Sequence, residues 1–256
     1  MAIVGLLIWW QDWKMKYLFR KLRWRLRRRL ILKKGFVELN GIKIPICNKI
    51  LSPLILDSMQ NGSYERKEAL ELNRVIHAVD RVMEIGVGVG YISSLILKNP
   101  LVDAYIGYEA NPNLLPWINR LYSINGVSGD VYNEVLANNW DSPDIDFYLR
   151  DHFWESSLLP EPRAYRETVK VSVANFNESI CDFKPSLIVC DIEGGELELF
   201  RHADLKGVQK IYMEVHQGVL GRDGMLELFN IMAEKGFHYD EHHSSGAVVL
   251  FSHIDR

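Results

Sequence analysis

Two short apolar runs in this chain each end in groups able to move a proton or hold a cation. SLIVCDIEGGELELF, residues 186–200, leads into Asp191, Glu193 and Glu196 around Gly194 and Gly195, and KIYMEVH, residues 210–216, closes on Glu214 and His216. A hydroxyl is a poor nucleophile until its proton is removed or its pKa is lowered. A carboxylate or imidazole does the first as a general base, and a divalent metal held by oxygen ligands does the second. Asp191, Glu193, Glu214 and His216 are therefore the candidate catalytic residues, and the same four are the candidate ligands of a divalent metal. Both chemistries need the same acids in the same place. A plainer reading stands beside them: Glu196 and Glu198 as first-turn acids that complement a helix dipole, and Asp191 as a group that orients a cofactor amine.

For these acids to meet, their strands must be neighbours that end at one edge of a sheet. Strand-like runs fall at 81–85, 103–108, 129–136, 186–190, 208–214 and 246–251, and helix-like runs at 91–98, 112–124, 195–203 and 223–235. Asn111-Pro112 opens one of these helices and Gly236 closes another. Strands alternating with helices of this length imply a largely parallel sheet covered on both faces, with ligands at the carboxyl edge. Upstream, Asn40-Gly41 signals a hairpin, and Ser63 is placed to cap a helix carrying Leu70, Leu72, Val75 and Ile76. The stretch 138–167 is the longest irregular part, and long irregular segments often cover sites. His152, Ser156 and Ser157 within it are the candidate acceptor contacts, each with a surface-loop role as the alternative. His242 and His243 read as a hairpin tip, with no ligand spacing around them.

The second chemical signal is VMEIGVGVGYIS, residues 82–93, an apolar strand running into Glu84, Gly86, Gly88 and Gly90 before a helix begins. Glycines there let the backbone turn sharply and approach a ligand closely. A dinucleotide fingerprint needs a further glycine where Tyr91 stands, which disfavours a nicotinamide-dependent oxidoreductase. Glu109 ends the next strand, 25 residues after Glu84, where a carboxylate can accept both hydroxyls of a ribose. A lone glycine turn with a solvent-facing Glu109 would be the plain alternative; loop, strand, acid and order together favour a nucleoside cofactor.

The 256 residues, 48% of them hydrophobic, suffice for one α/β domain and a short appendage. Cys47, Cys181 and Cys190 are odd in number and scattered, which suits neither zinc nor a secreted disulfide framework and points to the cytoplasm. The net charge of -3 conceals an asymmetry: residues 1–34 carry eleven Lys or Arg against Asp12 alone, leaving 19 basic and 32 acidic residues in the rest. Residues 1–34 form a basic amphipathic segment rich in Trp and Tyr, too short in its apolar run to span a bilayer. It suits a membrane surface, which would place the chain at the inner face as a peripheral protein, or packing on a second copy in a homo-oligomer. Nucleic acid is the weaker partner, because the body is acidic. The expected organisation is this segment, a lead-in β-ribbon over 35–61, and the main domain over 62–256.

Taken together, the loop at 84–90, E-x-N-P at 109–112, V-x-N at 131–133, Ser156-Ser157, D-I-E-G-G-E at 191–196 and E-V-H at 214–216 resemble the FkbM-type methyltransferases over roughly residues 62–253. The resemblance implies a Rossmann-like class I methyltransferase, with a mostly parallel seven-stranded sheet and helices on both faces. It also implies S-adenosylmethionine as cofactor and O-methylation of a hydroxyl on a sugar, glycan or lipid-linked saccharide. By the same resemblance Glu84, Gly86, Gly88, Gly90, Glu109, Val135 and Asp191 would hold the cofactor, while Asp191, Glu193, Glu214 and His216 face the acceptor. Gly195 departs from the commoner Ala or Tyr of that family. The competing class is a non-catalytic binding or scaffold protein that keeps the fold.

Overall fold

The computed structural model describes residues 34–47, 50–161 and 164–254, so the expectations for residues 1–33 lie outside the described residues. The chain enters as a hairpin, β1 (Phe36–Leu39) and β2 (Ile42–Pro45), followed by α1 (Pro53–Asn61) and α2 (Arg66–Val75). The main body then alternates: β3 (Asp80–Ile85), α3 (Tyr91–Lys98), β4 (Val102–Tyr108), α4 (Leu115–Asn125), β5 (Asp130–Tyr132) and β6 (Glu134–Ala137). After β7 (Asp144–Leu149) and β8 (Glu167–Asn175) come α5 (Phe176–Phe183), β9 (Leu187–Cys190), α6 (Glu196–Arg201) and β10 (Lys210–Glu214). The end is α7 (Gln217–Glu234), β11 (Phe237–Ser245) and β12 (Val248–His253).

Seven strands form one sheet in the order β5-β4-β3-β9-β10-β12-β11. The pairs from β5 to β10 are parallel, and β12 runs antiparallel between β10 and β11. This is the Rossmann-like architecture read from the sequence, with β3 and β9 adjacent at the centre. Side chains alternate across the sheet as strand geometry requires. Met83, Ile85, Ile188, Cys190, Ile211 and Met213 pack with α5, α6 and α7 on one face. Val82, Leu187, Val189 and Tyr212 pack with α2 and α3 on the other. Buried apolar residues on both faces explain why these strands read as near-continuous hydrophobic runs. The β1–β2 hairpin and α1 share a core with α3 and α4 through Val37, Ile42, Met59, Tyr91 and Trp117.

Several local expectations change. The run 129–136 is two strands: β5 ends the large sheet, and β6 belongs to a second, three-stranded sheet in the order β6-β8-β7. The break falls at Asn133, whose side-chain amide donates to Glu109 O (2.8 Å) and Ala110 O (3.0 Å) and so holds the chain where it leaves the large sheet. The segment expected to be irregular contains β7, held to β8 by a full antiparallel register. Ser63 does not cap α2, which begins after Glu65 without a side-chain cap; Ser63 instead donates to Ser58 O at the end of α1. His242 and His243 lie within β11, and the tip is the turn at Gly246.

Candidate active site

The glycine loop leaves β3 at the middle of the carboxyl edge. Gly86 has φ 88°, and a Cβ there would stand 1.8 Å from the Asp191 carbonyl oxygen. Only glycine lets the β3 and β9 exits touch backbone to backbone, and Asp191 N donates to Ile85 O at 2.9 Å across the same seam. Gly88 and Gly90 also have positive φ, 58° and 81°. Gly90 starts α3, where Ser93 and Ser94 hydroxyls donate to its carbonyl (2.9 and 2.7 Å).

Glu109 is aimed by this loop. Its Oε2 accepts from Gly88 N at 2.7 Å and its Oε1 from Asn111 N at 2.7 Å, and only 6% of the residue is exposed. Each oxygen keeps one lone pair for a ligand, so the carboxylate is preset to accept two hydroxyls. Burial pushes the Glu109 carboxyl up to about 7, against the pull of the two backbone donors. Glu84 points into the cavity next to it and accepts from the Tyr105 hydroxyl at 2.6 Å. Burial holds the Glu84 carboxyl well above the usual range, a rise opposed by that hydroxyl and reinforced by the charges of Glu65, Glu109 and Asp191.

The acids after β9 and β10 converge beside this loop. Asp191 Oδ1 and Glu193 Oε2 each lie 3.7 Å from His216 Nε2. The other ring nitrogen, Nδ1, is 2.7 Å from Glu196 Oε1. Glu196 is fully buried, so the helix-dipole reading of this residue gives way to one in which it fixes the imidazole. The loop reaches His216 because Glu193 and Gly194 take positive φ in succession (55° and 106°). A Cβ on Gly194 would meet Val219 at 2.4 Å. Gly195, at φ -84°, is conformationally ordinary. Burial alone would lower the His216 imidazole; the hydrogen bond to Glu196 and the charges of Glu196, Asp191 and Glu193 outweigh it and lift the group to about 9. Asp191 keeps 49% of its side chain open to the cavity. Desolvation by the surrounding walls and the charge of Glu214 still hold its carboxyl well above the ordinary value, against the pull of His216. Burial raises Glu214 as well, again opposed by His216.

One cavity of about 920 Å³ joins these parts. It runs from Glu84, Gly86, Gly88 and Glu109, past Val135, to Asp191, Glu193 and Glu214, with His216 set behind the acids. Of the candidate acceptor contacts, Ser156 and Ser157 line it and His152 does not; His152 stacks on Trp154 with ring centroids 4.5 Å apart. Both serines also build their own loop. Arg150, 6% exposed, donates its backbone N to Ser156 Oγ (3.0 Å) and its guanidinium to Ser157 Oγ (3.1 Å) and Leu159 O (2.7 Å). This loop carries Phe153 and Trp154 over the cavity.

Sequence reasoning passed over Glu65, which lines the cavity in a left-handed conformation (φ 41°), and Trp140, which lines it from the β6–β7 connection. Burial pushes the Glu65 carboxyl up to about 8. Neither its left-handed backbone nor its burial is displayed by the sequence.

The family described as Methyltransferase FkbM domain matches residues 84–239, more than half of the chain. No curated protein matches significantly. Solved structures of similar architecture include an NADB-Rossmann superfamily protein from Streptococcus agalactiae, with 12% identity, TM-score 0.45, and 73% of this chain and 68% of that one covered. A ribosomal protein L11 methylase from Lactobacillus delbrueckii subsp. bulgaricus has 12% identity and TM-score 0.44, with 75% and 78% covered. A precorrin-6y C5,15-methyltransferase from Geobacter metallireducens has 11% identity and TM-score 0.40, with 73% and 86% covered.

Proposed function

The chain belongs to the FkbM methyltransferase family and is an S-adenosylmethionine-dependent methyltransferase; from that premise we propose that it methylates a hydroxyl of a saccharide acceptor. The observation that carries this reading is the single cavity running from the glycine loop to the acidic cluster. It is at the upper end of the roughly 300–1,000 Å³ range of small-molecule sites, so a nucleoside cofactor leaves room for an acceptor beside it. In this reading Glu109 accepts the ribose hydroxyls, Val135 borders the adenine, and Glu84 and Asp191 face the methionine end, where the cofactor is cationic.

The acceptor then enters between the acids and the rings of Trp140 and Trp154. Aromatic faces stack against the apolar faces of sugars, and carboxylates and the Asn139 amide hydrogen-bond their hydroxyls. His216, raised to about 9, is charged at neutral pH and is not the proton acceptor. That role falls to a carboxylate, and Glu214, which lines the cavity and is made a stronger proton acceptor by burial, suits it. The hydroxyl proton passes to Glu214, the oxygen bonds to the methyl carbon, and the electrons of the broken carbon–sulfur bond stay on sulfur as the thioether. The basic segment 1–34 supports a lipid-linked saccharide at the cytoplasmic membrane face; no helix among the described residues is long and apolar enough to cross a membrane.

The test is incubation of the full-length protein with S-adenosylmethionine and free or lipid-linked saccharides, with mass spectrometry of the products. One added methyl per acceptor, on oxygen, is expected. Cofactor binding without methylation of any hydroxyl acceptor would leave the scaffold reading.

A further inference from the structure

We propose that Asp191, Glu193 and His216 hold a divalent metal ion at the cavity wall, with Glu196 fixing the imidazole from behind. The use made of the ion rests on the methyl-transfer reading above; its binding does not.

Each of the three residues offers one ligand atom, and these atoms lie within 4.8 Å of one another. Bonds from such ions to oxygen and nitrogen are about 2.1 Å, so donors at right angles stand about 3.0 Å apart. The observed separations of His216 Nε2 from Asp191 Oδ1 and Glu193 Oε2, 3.7 Å each, need to close by well under an ångström, within reach of side-chain torsions. The donors come from two loops already fixed to each other. Asp191 is tied to β3 through its backbone N, and Gly194 seats the β9–α6 loop on Val219.

The imidazole is prepared for a ligand's role. Nδ1 donates to Glu196 Oε1 at 2.7 Å, and binding of the ion would displace the Nε2 proton of the metal-free imidazolium and free that lone pair for the metal. A carboxylate behind the distal nitrogen is the ordinary partner of a metal-bound histidine. An independent sign comes from Glu196 itself. It is fully buried, and its Oε2 has no hydrogen-bond partner among the described residues. Burial of an anion on those terms needs compensation nearby. Asp191 and Glu196 flank one imidazole, which supplies at most one positive charge for the two carboxylates. No Lys or Arg lines the cavity among the described residues. A divalent ion in the position between the three ligands closes that deficit.

Two carboxylates and one imidazole suit magnesium or manganese, and three positions of an octahedron remain for water and acceptor oxygens. A hydroxyl bound there would lose its proton more readily to Glu214, while the methyl moves from sulfur to oxygen and the carbon–sulfur electron pair stays on sulfur.

The experiment is titration of the full-length protein with manganese(II), followed by electron paramagnetic resonance, beside a calorimetric titration with S-adenosylmethionine. One manganese ion per chain should bind, displaced by excess magnesium, with Glu193→Gln and His216→Ala each weakening it at least tenfold. Glu196→Gln acts through His216 and should weaken it about 10- to 100-fold. Retained cofactor binding and circular dichroism certify each variant as folded. No manganese binding by the wild-type protein, or equal binding by the folded Glu193→Gln variant, overturns the site and leaves the His216 imidazolium as the cluster's counter-charge. Manganese binding without cofactor binding would uphold the metal site and remove the methyl-transfer reading instead.

Discussion

Replacing Glu109 by Gln exchanges a carboxylate with two preset acceptor oxygens for an amide with one. In the native chain both oxygens already take a backbone donor, from Gly88 and Asn111 at 2.7 Å each, so each lone pair left over is directed outward. Hydrogen bonds to a charged group contribute about 1.5–3 kcal/mol each. Loss of one such bond and weakening of the other should cost about 2–3 kcal/mol, a fall in S-adenosylmethionine affinity of roughly 30- to 150-fold. The wild-type protein carries a second signature. Only the ionised carboxylate accepts two hydroxyls, and burial places its titration at about 7. Roughly a tenth of it is ionised at pH 6 and nine-tenths at pH 8, so affinity should tighten by about tenfold between them. Isothermal titration at both pH values, on wild-type and Glu109→Gln protein, measures both effects. The variant should bind weakly and lose about tenfold of the pH dependence. Binding within about threefold of wild type, with an unchanged pH profile, would refute the assignment of this carboxylate to the ribose.

Gly86→Ala forces a Cβ onto the Asp191 carbonyl from a positive φ and should destabilise the fold by at least about 2–3 kcal/mol in denaturant titration. Lys210→Met leaves Asp80 buried and uncompensated, because Lys210 Nζ donates to Asp80 Oδ2 at 2.6 Å at the far end of the sheet; about 3–5 kcal/mol should be lost with no direct effect on turnover of folded protein. Folded-state carboxyls raised at Glu109 (about 7) and Glu65 (about 8) contribute stability that is fully present below their unfolded pKa near 4.5 and lost as pH rises through the folded values. The ligand-free protein should therefore melt at progressively lower temperature from pH 5 to pH 9, and Glu65→Gln should flatten the upper part of that decline. Arg150→Ala removes the donors that hold Ser157 and Leu159, so limited proteolysis should cut within 150–161 faster than in the wild-type chain.

The centre of the molecule was legible because its signals are local. An apolar strand, a glycine loop and a helix follow one another within residues 82–93, and the strands buried on both faces read as hydrophobic runs. The periphery was harder. β7, with sequence DIDFYL, places Asp144 and Asp146 toward Lys170 of β8 at 3.3 and 3.1 Å, so a third of its residues look like loop composition until the partner strand is known. Helix α1 lies inside residues 35–61, expected as a lead-in ribbon; its start is marked by Ser52-Pro53, with Ser52 Oγ accepting from Ile55 N, a short local signal beside the stronger hairpin signal at Asn40-Gly41. In the site, the acids after β9 and β10 could be placed on one sheet edge from their strands alone. That Glu196 rather than Glu193 grips His216 depends on two successive left-handed residues and on Val219, a contact that no spacing in the chain encodes. Serines 156 and 157 were legible as cavity residues, whereas their hold on buried Arg150 required the loop's three-dimensional path.

The most direct test of the central claim is the rate of S-adenosylhomocysteine formation with and without a saccharide acceptor, for wild-type, Glu214→Gln and Glu109→Gln proteins. Acceptor-dependent formation by the wild type is predicted, with Glu214→Gln losing turnover but keeping cofactor affinity and Glu109→Gln losing affinity first. Equal, acceptor-dependent formation by wild type and Glu214→Gln would contradict the account of where and how the methyl group is transferred.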